Sequence, residues 1–76
     1  MLSTPEDKIV AYLMNHMEDV QDYVNNNDAV PDFVLFDVVV RRIEESTGCN
    51  YVDILTHFDQ TRFNKLFMIG DSNVQN

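Results

Sequence analysis

The run from Val30 to Gly48, VPDFVLFDVVVRRIEESTG, is the densest apolar stretch of the chain and limits what the rest can form. Wound at about 100° per residue, it places Leu35, Phe36, Val39, Val40 and Ile43, together with Phe33, on one broad arc wide enough for a core helix. Asp37, Arg41 and Glu45 then fall one turn apart on the opposite side, where each neighbouring pair can form an i,i+4 ion contact worth a few tenths of a kcal/mol. A strand over 33–40 is the rival reading, because Val and Phe favour strands and so short an apolar run is ambiguous in period. Only the helix accounts for the charge ladder, so a helix is expected. Pro31 suits its first turn and Gly48 its C-terminal cap. Val34 and Val38 sit one turn apart on the polar side, either as scattered surface valines or as a second strip for another helix or a partner.

The segment before this run reads as an amphipathic helix. Thr4 followed by Pro5, Glu6 and Asp7 combines a hydroxyl cap, a proline at the first position and acids facing the positive end of the helix dipole. Ile9, Leu13, Met17, Val20 and Val24 form the apolar arc out to about Val24, with Val10 and Met14 beside it. Glu18, Asp19 and Asp22 gather on the far side, as a solvated face or as a docking surface for a basic partner. Tyr12, His16 and Tyr23 line one edge, a composition shared by interfaces and by ordinary core boundaries. The loop from Asn25 to Asp28 ends this helix readily and is short enough to make the two long helices antiparallel neighbours.

After Gly48, Asn50 can cap a short helix on which Tyr51, Ile54, Leu55 and Phe58 share a face. One continuous helix would carry Phe63 and Phe67 away from that face. The phase therefore breaks, and Asp59 caps a final helix that turns Phe63, Leu66 and Phe67 inward, with Gly70 closing it and residues 71–76 as a frayed tail. The expected fold is a single all-α domain over 1–76, a small bundle of about four helices: two longer antiparallel ones and a short, helix-turn-helix-like C-terminal pair.

A chain of 76 residues has room for one small core, and a domain of that size buries only about 60% of its unfolded surface. Oligomerisation is one way to strengthen it. Cys49 is the only cysteine, which excludes an intrachain disulfide and suits a reducing compartment. The polar, acidic start MLSTPEDK lacks the pattern of a secretory signal, and no apolar stretch reaches membrane-spanning length, so a cytoplasmic protein is expected.

Charge is unevenly placed. Through Val40 the acids Glu6, Asp7, Glu18, Asp19, Asp22, Asp28, Asp32 and Asp37 face Lys8 alone, so nearly all of the net charge of −8 belongs to the first half. Such a field disfavours nucleic acid, whose binding rests on phosphate neutralisation, and favours a partner with a basic surface. The segment from Asn50 to Phe58 offers Asp53, Thr56 and His57 where a DNA-reading helix would offer Arg, Lys, Asn or Gln. Direct DNA binding would need Arg41, Arg42, Arg62 and Lys65 to converge.

Catalytic and metal-binding patterns are missing from the sequence. His16 and Asp19 make only two ligands where a metal site needs three or four. A lone cysteine such as Cys49 is more often a small buried hydrophobe than a nucleophile. No phosphate loop, zinc spacing or nucleophile elbow is present, and no cofactor is expected. The expected function is a non-enzymatic acidic interaction module that binds and regulates or inhibits a protein, in which Glu18, Asp19 and Asp22 steer the partner while Tyr12, Tyr23, Val34 and Val38 supply apolar contact. Homo-oligomerisation through the same strips is part of this expectation. The alternatives are a nucleic-acid mimic that occupies a DNA- or RNA-binding protein, an oligomer with a small ligand between subunits, and a helix-turn-helix-like DNA-binding regulator.

Overall fold

The structure, a computed structural model, describes residues 4–67. It is an all-α bundle of four helices: α1 (Pro5–Asn25), α2 (Asp32–Thr47), α3 (Tyr51–His57) and α4 (Gln60–Phe67), with no strand among the described residues. Gly70 and the tail at 71–76 lie outside them.

Local chemistry sets each boundary. Thr4 caps α1 by accepting from the Asp7 amide at 3.1 Å, while the Asp7 carboxylate accepts from the Thr4 amide at 3.4 Å. Two orphan donors are thereby satisfied at once. α2 begins one residue later than the proline rule suggests, with Pro31 at the cap position and its carbonyl accepting from the Val34 and Leu35 amides. Gly48 ends α2 at φ 79°, a left-handed conformation that costs a side-chain-bearing residue about 1–2 kcal/mol. Asn50 accepts from the Asp53 amide at 2.8 Å, and Asp59 from the Arg62 amide at 3.0 Å, so α3 and α4 each start on a side-chain cap.

Among the described residues, the core contains only apolar side chains. Leu35, Phe36, Val39, Val40 and Ile43 of α2 are buried against Ile9, Leu13, Val20 and Val24 of α1, Ile54 of α3, and Phe63 and Phe67 of α4. Cys49 and Phe58, from the connections, complete it. α2 packs against all three other helices, and so does α1. Phe36, Phe58 and Phe63 form a triangle of rings with centroids 5.5–6.2 Å apart, and Phe67 extends it 5.5 Å beyond Phe63. Tilted and edge-on pairs of this kind add about 0.5–1.5 kcal/mol each beyond simple burial. Lys8, Ala11 and Tyr12 of α1 share a groove with Ser46 and Thr47 of α2, so the start of one long helix lies beside the end of the other, as an antiparallel pair requires.

Several residues expected inside are at the surface. Phe33 is 64% exposed, because α4 is tied to the neighbouring residue: Asp32 accepts from Gln60 Nε2 at 3.5 Å and from Asn64 Nδ2 at 3.1 Å. One position further round α2, Phe33 passes beyond that cover. Leu66 is exposed because the two turns of α4 bury only the i,i+4 pair Phe63 and Phe67, and Leu66 points about 100° away from the latter. Met17 follows His16, whose φ of −124° and ψ of 19° kink α1 in mid-course, and it also lies at the surface. The ladder on α2 is half made: Arg41 Nε donates to Asp37 at 3.1 Å, whereas no Arg41–Glu45 pair forms among the described residues.

Candidate protein-interaction surface

The residues expected to bind a partner fall on three separate surfaces. Glu18, Asp19 and Asp22 are exposed on the outer side of α1. Among the described residues, only Asp19 of these three has a basic side chain within 4 Å, His16 Nδ1 at 3.7 Å. Tyr12 and Tyr23 are half-buried and pack against the core along the seam between α1 and α2. Val34, exposed, and Val38, half-buried, lie on α2.

The tyrosine edge is engaged within the chain. The Arg42 guanidinium lies 4.8 Å from the centre of the Tyr23 ring, a cation–π contact across the helix seam. Tyr12 stacks on His16 at 4.3 Å between centroids. Burial raises the Tyr12 phenol above its ordinary value, Arg42 pulls it back, and Asp19 adds to the rise. Beside this pair, a groove of about 340 Å³ runs between α1 and the end of α2, lined by Lys8, Ala11, Tyr12, Asn15, His16, Ser46 and Thr47. It is wide open to solvent and gathers no set of groups with an evident reactive chemistry.

A polar link joins α2 to α3. The Tyr51 hydroxyl donates to one Asp37 oxygen at 2.6 Å, and Arg41 Nε donates to the other at 3.1 Å while its guanidinium rests 5.2 Å from the Tyr51 ring centre. Donation from Tyr51, and then from Arg41, holds the Asp37 carboxyl below its ordinary range. The same hydrogen bond raises the Tyr51 phenol. A depressed carboxyl contributes stability above its unfolded pKa, near 4, and loses it as pH falls through the lower folded value. A raised phenol contributes below about 10 and loses its contribution as pH rises through the higher folded value. Denaturation of wild type and Tyr51→Phe across pH should therefore show a stability gap that is widest near neutrality and closes at both extremes. A gap independent of pH would show that the hydroxyl does not bond an ionised Asp37.

The two adjacent arginines of α2, about 100° apart round the helix, turn to different neighbours, Arg41 to Tyr51 of α3 and Arg42 to Tyr23 of α1. Arg62 donates to the His57 carbonyl at 3.3 Å. Among the described residues, no group of three or more His, Cys, Asp or Glu is placed to hold a metal ion, and no helix is long and apolar enough to cross a membrane.

The surface that sequence reasoning missed is apolar. Val10, Met14 and Met17, read as the core arc of α1 or its border, are 46%, 74% and 37% exposed. They follow an i, i+4, i+7 spacing along one side of the helix. Next to them an open hollow of about 330 Å³ is lined by Met14, Asn15, Met17, Glu18 and Asp19. Thioethers and carboxylates thus share one site. The kink at His16 lies within this strip, and neither proline nor glycine occurs between Glu6 and Asn25 to announce it. Comparison with protein-family models, curated proteins and solved structures gives no match.

Proposed function

We propose that this chain is a non-enzymatic, acidic interaction module that binds a protein with a basic surface and thereby regulates or inhibits it. The observation that carries this reading is the outer face of α1, where Glu18 and Asp22 stand one turn apart, at the surface and without a cation within 4 Å among the described residues. Carboxylates left unpaired among the described residues keep their field for an incoming partner. They steer encounter and set its orientation, while apolar contact nearby supplies the slow dissociation.

The two tyrosines on the edge of α1 have a smaller share in this reading. Tyr12 and Tyr23 already pack on their own core, so they support the α1 surface from behind more than they extend it. Val34 and Val38, on α2, offer a place where copies of the chain would associate.

The reading is tested by capturing proteins from the native cell extract on wild type and on a Glu18→Lys/Asp22→Lys variant, then measuring association rates of whatever wild type retains. The partner should be basic, its association should slow with added salt, and charge reversal should reduce its on-rate by about tenfold or more. Equal retention and equal rates on both chains would refute the proposal.

A further inference from the structure

We infer that the strip Val10–Met14–Met17 is the seat of an amphipathic helix of the partner, one that carries arginine or lysine along a single edge. The inference rests on the acidic-module reading and names the form of partner that fits the site.

Spacing is the first reason. Residues at i, i+4 and i+7 on an exposed helix form the kind of apolar ridge against which a second helix lays its own apolar face. Methionine is suited to the task, since its unbranched, polarizable side chain adapts to a foreign surface. Burying these three side chains would also remove the most contiguous exposed apolar strip on α1.

Charge is the second reason, and it is one-sided. Beyond Met14 and Met17 the helix surface turns to Glu18 and Asp22, both at the surface. On the other flank lie Leu13 and Val20, buried in the core, and past Met17 the strip ends at Gln21, whose Nε2 donates to the Phe67 carbonyl of α4 at 3.1 Å. Cations on the partner are therefore matched along one edge only. The hollow of about 330 Å³ between Met14, Met17, Asn15, Glu18 and Asp19 suits a long cationic side chain, its stem against the thioethers and its head at the carboxylates. A second copy of this chain is a poor occupant because its own α1 would bring the same negative field, and an anionic membrane surface is disfavoured on the same ground.

The probe is a synthetic helical peptide with leucines along one face and arginines along one edge, set against a control in which every arginine is glutamate. Titration is followed by the methyl resonances of Met14 and Met17. The arginine peptide should shift both methyls and bind more weakly as salt rises, while the glutamate peptide should leave them unmoved. Met14→Asp and Glu18→Lys/Asp22→Lys should each weaken the arginine peptide about tenfold or more, whereas Val52→Asp, at an exposed apolar site on α3, should not. Binding that survives Met14→Asp but is lost on charge reversal would overturn the inference and leave the acidic module standing. Equal binding of the two peptides would overturn the inference as mere apolar adhesion. No binding of either peptide would overturn it too, and whether the acidic module falls with it is decided by the capture experiment with the charge-reversed chain.

Discussion

Phe63→Ala is expected to destabilise the domain by about 3–5 kcal/mol, enough to unfold much of a chain this small. Phe63 has no exposed surface and is the ring common to three of the aromatic contacts, with Phe36, Phe58 and Phe67. Its removal takes away transfer energy and ring pairing together. The void would lie where α2, the turn before α4, and α4 itself meet. Chemical denaturation checks this. A loss below about 1 kcal/mol, the scale of an ordinary surface change, would mean that α4 is not docked through that ring.

Ile54→Ala is the second large effect, at about 2–5 kcal/mol. α3 has only seven residues, too few to be helical on propensity alone, so it exists because it is packed. Ile54 is its one fully buried side chain, at 0% exposure, while Val52 on the outer side is 70% exposed. Losing Ile54 should free α3 first, and with it the Tyr51–Asp37 hydrogen bond. Amide exchange should therefore rise over 51–57 before it rises in α2, and Val52→Ala should change stability by no more than about 0.5 kcal/mol. Uniform loss of protection across all four helices would indicate instead that α3 is part of one indivisible unit.

Much of this architecture was legible because the signals were local or strictly periodic. The α2 arc from Leu35 to Ile43 is buried where a period of 3.6 puts it, and the caps at Thr4, Asn50 and Asp59 act through side chains whose chemistry is visible in the sequence. The phase break after Phe58 located the join between α3 and α4 for the same reason. Periodicity could not say how far each neighbour extends along an arc. Phe33, Met17 and Leu66 are apolar residues at the right angle or near it, but the helices that would cover them are too short or lie on the wrong side.

The candidate surface was legible in its charge and not in its apolar part. Glu18, Asp19 and Asp22 could be placed on the outside from spacing alone. A hydropathy pattern treats a methionine on the flank of an arc as inward and so places Met14 at the border of the core, although the structure leaves it 74% exposed. The kink at His16 has no proline or glycine behind it, so nothing in the sequence marked the place where the strip bends. Tyr12 and Tyr23 are equally ambiguous, since an amphipathic ring at a helix edge suits a seam or an interface; the packing of both rings on the core, and Arg42 over Tyr23, show that the chain itself uses them.

The proposed role of the apolar, acidic face of α1 is to receive a foreign basic partner. Its most direct test is the mass in solution, by light scattering over a range of protein and salt concentrations, of wild type and Met14→Asp. One and the same mass is expected for both chains at every condition, because like charges keep copies of this face apart. A wild-type assembly that Met14→Asp dissolves would contradict it, since the face would then be covered by a second copy of the chain.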